Sequence, residues 1–235
     1  MPHSLTRAQL ARTIDHTLLK PEAIAEQIDR LCDETLEHSF FAVCVNAMWV
    51  ERCAARLAKS PKSPDARPLV CSVVGFPLGA TTTAAKAAET TEAVRNGACE
   101  IDMVIPLGAL LGGDAAYVQR DVAGVVEAAR NANPDAMVKV ILESRALSDS
   151  QIIAACGAAR AAGAAFVKTS TGFHAAGGAT VEHVRLMRAN AGGMKVKASG
   201  GIRDLATALA MIDAGADRLG LSASVAIVEA ASTNR

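Results

Sequence analysis

The sequence predicts an α/β fold, a (β/α)8 TIM barrel formed as a single domain over residues 1–235. Three observations predict it. Short runs of β-forming residues recur eight times at near-even spacing, alternating with Ala-, Glu- and Arg-rich stretches of helical period. The length of 235 residues suits one such barrel, which typically takes about 250. Glycine closes three helices just before a strand, at Asn96-Gly97-Ala98, Ala162-Gly163-Ala164 and Ala214-Gly215-Ala216. There the left-handed conformation open to glycine terminates a helix.

In order, the strands are expected at 14–19, 40–45, 69–76, 101–105, 137–142, 165–170, 194–199 and 218–222. Helical spacing is clearest over 81–96, 115–131, 149–162 and 204–214. Strands alternating with helices at this interval imply right-handed crossovers and a parallel sheet. A doubly wound open sheet is the alternative. No Gly-x-Gly-x-x-Gly follows the first strand, which counts against a dinucleotide fold. Residues 61–68, with three prolines, read as a solvated loop.

Composition narrows the function. The chain carries 24 basic and 24 acidic residues and only 3% aromatics. No basic groove with stacking rings is legible, so no nucleic-acid partner is expected. No apolar stretch reaches the roughly 20 residues of a membrane span. Residues 1–10 lack the apolar core of a signal peptide. The six cysteines are scattered without a Cys-x-x-Cys pair, which reads as reduced core thiols in a cytoplasmic protein. Cys44 is read as one of these packing thiols. The five histidines lack metal-ligand spacing, so no metal site is expected.

Side chains alternate across a strand, and the outer side of a barrel strand must be apolar to meet the helices. With Ile101, Met103 and Ile105 outside, Asp102 points inward. By the same rule Lys139 and Glu143 point inward from strand five, Lys168 from strand six, Lys195 and Lys197 from strand seven, and Asp15 from strand one. His16 is then left facing the helices. Lys195 lies so early in its strand that a solvated position at the barrel floor is expected. Unpaired buried charges cost several kcal/mol each, so these groups must pair. Two readings remain: an inert ion-pair network plugging the barrel, or an active site. The strands that carry these residues run into Gly-, Ser- or Thr-rich loops or a proline, and barrel active sites sit at that end.

Lys168 and Lys197 stand in apolar runs, Ala165-Phe166-Val167-Lys168 and Val196-Lys197-Ala198. Burial and a neighbouring ammonium both favour the neutral amine, which is the nucleophile that forms a Schiff base with a carbonyl. A carboxylate such as Asp102 acts the other way. The useful arrangement keeps one lysine charged and paired with Asp102 and the other neutral and free to attack. Three turns, Ser170-Thr171-Gly172, Ser199-Gly200-Gly201 and Gly220-Leu221-Ser222, converge after the last three strands. Glycines there let backbone N–H groups approach a phosphate. Arg203 either assists the phosphate or forms a salt bridge at the start of the following helix.

The segments Ile14-Asp15-His16-Thr17-Leu18-Leu19-Lys20-Pro21, Val73-Val74-Gly75-Phe76-Pro77-Leu78-Gly79, Glu100-Ile101-Asp102-Met103-Val104-Ile105-Pro106, Phe166-Val167-Lys168-Thr169-Ser170-Thr171-Gly172-Phe173 and Val196-Lys197-Ala198-Ser199-Gly200-Gly201-Ile202-Arg203 resemble those of the deoxyribose-phosphate aldolase family. The resemblance implies a class I aldolase that needs no cofactor or metal. Its partners would be a small sugar phosphate and an aldehyde; the sequence leaves open the assembly, a homodimer or a higher homo-oligomer. It implies Lys168 as the Schiff-base lysine, Lys197 as the second lysine that tunes it and Asp102 as the partner in proton transfer. Gly172, Gly200, Gly201 and Ser222 match the family's positions near the phosphate. Two departures stand out. Ala223 follows Ser222 where the family often has a second serine, with Ser224 one residue on. Phe173 stands where some relatives carry lysine. Two other readings remain: a Schiff-base aldolase for another sugar phosphate, and a sugar-phosphate-binding barrel without catalysis.

Overall fold

The structure is a computed structural model and describes residues 5–60 and 67–231. Eight parallel strands pair in chain order and close on themselves, β1 (Ile14–Leu18) pairing with both β2 (Ala42–Val45) and β8 (Arg218–Leu221). Between them run β3 (Leu69–Val74), β4 (Glu100–Val104), β5 (Met137–Ile141), β6 (Phe166–Lys168) and β7 (Lys195–Ser199). The outer layer comprises α1 (Arg7–Ala11), α2 (Ala25–His38), α3 (Val50–Leu57), α4 (Thr83–Arg95), α5 (Leu107–Leu111), α6 (Ala115–Ala132), α7 (Asp149–Ala161), α8 (Val181–Asn190), α9 (Leu205–Asp213) and α10 (Ser224–Ala230). The fold is the predicted (β/α)8 barrel. Of the loop expected over 61–68, residues 61–66 lie outside the described residues.

Alternation sorts the strand residues as expected. Ile101, Met103, Ile105, Val138, Val140, Leu142, Val196 and Ala198 all join the apolar layer between strands and helices. Asp102, Lys139 and Lys197 lie on the opposite face, inside the barrel and fully buried. Gly97, Gly163 and Gly215 take φ of 109°, 80° and 108°, the left-handed turn that ends each helix before its strand. Side-chain caps set the helix starts: Thr82 accepts from Ala85 N–H and Asp204 from Thr207 N–H.

The structure moves some boundaries. Strand two was expected from residue 40, but β2 starts at Ala42. Ser39 is left-handed and ends α2, and Phe40 N–H bonds back to Thr35 O at 3.1 Å, so Phe40 belongs to the helix cap. Strand four starts one residue earlier than expected, at Glu100. Strand six is only three residues long, and beyond it the Thr169 hydroxyl donates to Ser199 O and accepts from Ser199 N–H.

Polar groups also enter the helix layer: His16, as expected, and the Lys86–Asp121 pair, which the strand rule does not cover. His16 sits between Ser224 Oγ at 2.9 Å and Glu34 Oε2 at 2.8 Å, so both ring nitrogens are satisfied. Lys86 on α4 is fully buried. It donates to Asp121 Oδ2 of α6 at 2.7 Å and to Val104 O of β4 at 2.9 Å. Thr83 Oγ1 donates to the other Asp121 oxygen at 2.8 Å. The Lys86 and Asp121 charges thus compensate each other where they are buried, which the sequence rule does not foresee. Lys86→Met strands the Asp121 charge and is expected to lower the unfolding free energy in urea by about 3–5 kcal/mol. Adding Asp121→Leu is expected to restore most of it.

Candidate active site

Alternation along β4 aims Asp102 at the barrel axis, and parallel pairing brings three lysines to it. Lys139 is its direct register partner on β5. Lys168 and Lys197 are register partners of each other on β6 and β7. Lys139 donates to Asp102 Oδ1 at 2.8 Å, while Lys168 and Lys197 both donate to Oδ2 at 2.7 Å. Cys71 Sγ lies 3.1 Å from Oδ1. Lys197 also bonds Asp15, and Arg218 reaches Asp15 Oδ1 at 2.7 Å. Lys139 lies 2.7 Å from Glu100, and Arg218 3.4 Å from the same oxygen. No side chain at residue 220 obstructs Lys197: a Cβ there would meet Lys197 Cε at 3.1 Å.

The charges do not balance. Asp15, Glu100 and Asp102 face Lys139, Lys168, Lys197 and Arg218, so full ionisation leaves one positive charge over. Burial alone would raise the Asp102 carboxyl, but Lys139, Lys168 and Lys197 outweigh it and hold the group well below the usual range. Asp15 is likewise pushed up by burial, yet Lys197, Lys139 and Arg218 bring it down to about 2. Burial works to lower the Lys197 ammonium, and Asp102 with Asp15 reverses this, so Lys197 is raised above ordinary lysine. Lys139 is raised well above for the same kind of reason, with Asp102 the largest attraction. Lys168 differs in geometry. Its one carboxylate partner is shared with two other lysines, and it borders the open cavity at the mouth.

Sequence reasoning missed Glu100 and Arg218. Both are charges at strand starts, which read as solvated ends. Stepping two residues back from Asp102 reaches Glu100, and two back from Gly220 reaches Arg218, so strand period was the available signal. Lys195 is exposed at the floor, its ammonium 5.7 Å from the Phe166 ring centre. It takes no part in the Asp102 cluster.

A cavity of about 260 Å3 opens at the C-terminal mouth, with Lys168 in its wall. Gly172, Gly200, Gly201 and Ser222 line it as well, so the structure brings together every predicted phosphate residue. Asp102 and Lys197 lie beneath, buried. Gly200 has φ of 85°, and a Cβ on it would meet Gly178 Cα at 3.0 Å and Gly172 Cα at 3.2 Å. Only glycine lets these loops touch backbone to backbone there. Arg203 and Lys20 add positive charge to the cavity wall; Lys20 was overlooked in the sequence. Ser224 does not reach the mouth. It is fully buried and bonds His16 and Leu221 O on the helix side. Phe173, half exposed, meets Phe76 edge-on at 5.2 Å, forming an aromatic wall across the mouth.

Cys44, Cys71 and Asp102 place ligand atoms within 4.8 Å of one another. Three ammonium groups already hold the Asp102 oxygens, so their charge opposes a metal cation there. Among the described residues no helix is long and apolar enough to cross a membrane.

The description "DeoC/LacD family aldolase" matches residues 10–229. The chain belongs to this aldolase family. It is therefore an enzyme, a carbon–carbon lyase. A Brevibacillus brevis protein named deoxyribose-phosphate aldolase is 53% identical over 221 residues, covering 94% of this chain and 95% of that protein. One of the same name from Halalkalibacterium halodurans is 54% identical over 220 residues, covering 93% and 94%. The solved deoxyribose phosphate aldolase of Aeropyrum pernix, described as a tetramer, superposes with a TM-score of 0.88 at 34% identity. It covers 97% of this chain and 93% of that one.

The depressed carboxyls set a pH dependence. Asp15 and Asp102 titrate lower in the folded than in the unfolded chain. Their stabilisation is therefore complete above the unfolded value of about 3.9 and is lost as pH falls through the folded values. Urea titrations are expected to show stability falling from about pH 4 towards pH 2, with a shallower fall for Asp15→Asn.

Proposed function

We propose that this chain reversibly cleaves 2-deoxy-D-ribose 5-phosphate to acetaldehyde and D-glyceraldehyde 3-phosphate through a Schiff base on Lys168. The observation that carries the proposal is the shared oxygen: Asp102 Oδ2 holds Lys168 and Lys197 at 2.7 Å each, directly under the mouth cavity. The names of the Brevibacillus and Halalkalibacterium relatives support the substrate.

The two lysines divide the work. Lys197 stays protonated between Asp15 and Asp102 and places a fixed positive charge beside Lys168. The surplus cation of the cluster is relieved when Lys168 releases its proton, and the free amine attacks the aldehyde carbon C1. Loss of water gives an iminium. A base takes the proton of the C3 hydroxyl, the C2–C3 bond breaks, and its electron pair flows to the iminium nitrogen. Glyceraldehyde 3-phosphate leaves and an enamine of acetaldehyde stays on Lys168. Asp102, with Lys197, returns a proton to the enamine carbon by way of water, and hydrolysis frees acetaldehyde. Backbone N–H groups around Gly172, Gly200 and Gly201 hold the phosphate, so binding energy far from the bond orients the reacting end.

Acetaldehyde with borohydride is expected to add one reduced adduct to the peptide carrying Lys168. Label on Lys197 reverses the assignment of the two lysines, and no label removes the mechanism. Lys168→Arg keeps the charge and is expected to lose turnover below detection. Lys197→Met is expected to lower kcat by about 10²-fold or more while phosphate binding persists. A barrel that only binds sugar phosphate would show binding without any adduct.

A further inference from the structure

Glu143 is a buried carboxylate that the mechanism above does not use. It stands just past β5, at φ 55° and ψ 52°, a left-handed conformation that non-glycine residues seldom adopt. The neighbouring backbone holds this kink. Leu142 N–H bonds Lys168 O at 2.9 Å and Ser144 N–H bonds Thr169 O at 2.8 Å, so both flanks of Glu143 are tied to the end of β6. The kink aims the carboxylate at one residue. Thr171 donates its hydroxyl to Glu143 Oε2 at 2.6 Å, and its N–H lies 3.3 Å from each carboxylate oxygen. With its proton committed to Glu143, the Thr171 oxygen accepts from Phe173 N–H at 3.0 Å. Gly172 is enclosed by this relay, and its left-handed turn (φ 83°) lies against Gly200 of the next loop.

We infer that Glu143 is a positioning residue for anion binding: acting through Thr171, it holds the Gly172 turn in the shape that binds phosphate. The inference rests on the phosphate reading of the mouth given above. Charge alone points the other way. A carboxylate near an anion site repels the anion, so removing it should tighten phosphate binding. The relay geometry predicts that removing it loosens binding, because Thr171 loses its acceptor and the turn its anchor. The sign of the effect therefore separates positioning from simple electrostatics.

The test measures inorganic phosphate binding by calorimetric titration, and kcat and KM for 2-deoxy-D-ribose 5-phosphate, with thermal unfolding as a check on folding. Glu143→Ala is expected to weaken phosphate binding about tenfold and to raise KM similarly, with kcat affected much less. Glu143→Gln keeps an acceptor for the Thr171 hydroxyl without the charge and is expected to bind phosphate within threefold of the parent. Thr171→Val is expected to resemble Glu143→Ala, and the double variant to lose little more, since both break one relay. Tighter or unchanged phosphate binding in Glu143→Ala overturns the inference. So does additive loss in the double variant, or an equal fall in kcat and phosphate affinity that Gln does not rescue. Weakened phosphate binding in a protein that traps no acetaldehyde sinks the aldolase mechanism and leaves the role of Glu143 standing.

Discussion

One carboxylate organises the interior. Asp102 is bound by three ammonium groups at 2.7–2.8 Å, and none of these can move without leaving it partly unpaired. Buried charge is tolerable only in such company, because the desolvation of each ion must be returned by close opposite charge. The cluster has more cations than carboxylates, with Lys139, Lys168, Lys197 and Arg218 against Asp15, Glu100 and Asp102. Lys197 is held charged by two acids and Lys139 is enclosed on all sides. Lys168 has a single carboxylate partner, shared with two other lysines, and borders the open cavity. An ion-pair network that merely plugged the barrel would have no need of an open cavity against its least compensated member.

The mouth is built of backbone more than of side chain. Gly172, Gly200 and Gly201 all adopt positive φ, and Gly178 and Gly200 approach so closely that any Cβ would collide. Ser224, one residue past the family's second serine position, is spent on His16 and on Leu221 O. Phe173 adds an aromatic wall against Phe76 rather than a charge. Arg203 and Lys20 are the cations left at the rim.

The helix layer reaches the site through its own buried ion. Lys86 runs beneath Gly75, where a Cβ would meet its Cε at 2.9 Å, and ends on Val104 O, two residues beyond Asp102. Glu89 of the same helix accepts from Gly75 N–H at 2.8 Å. Helix α4 thus grips both the turn after β3, which leads to Phe76, and the end of β4, which follows Asp102. Scaffold and site are joined at these contacts, so packing changes in α4 have a direct route to Asp102.

Local pattern in the sequence determined the barrel, the inward set of Asp15, Asp102, Lys139, Lys168 and Lys197, and the glycine turns at the mouth. Strand alternation and glycine conformation are local properties, and a chain can display them without knowing its neighbours. Three things were decided only in the folded chain. Glu100 became an interior charge because pairing carried β4 one step below its expected start, and Arg218 because β8 pairs with β7 from its first residue. Lys86 became a buried cation because α6 set Asp121 against it. Lys168 and Lys197 became different because Asp15, far away along the chain, reached one of them and not the other. Such distinctions depend on which opposite charge lies within about 3 Å, and electrostatic energy falls off over distances that sequence spacing does not encode.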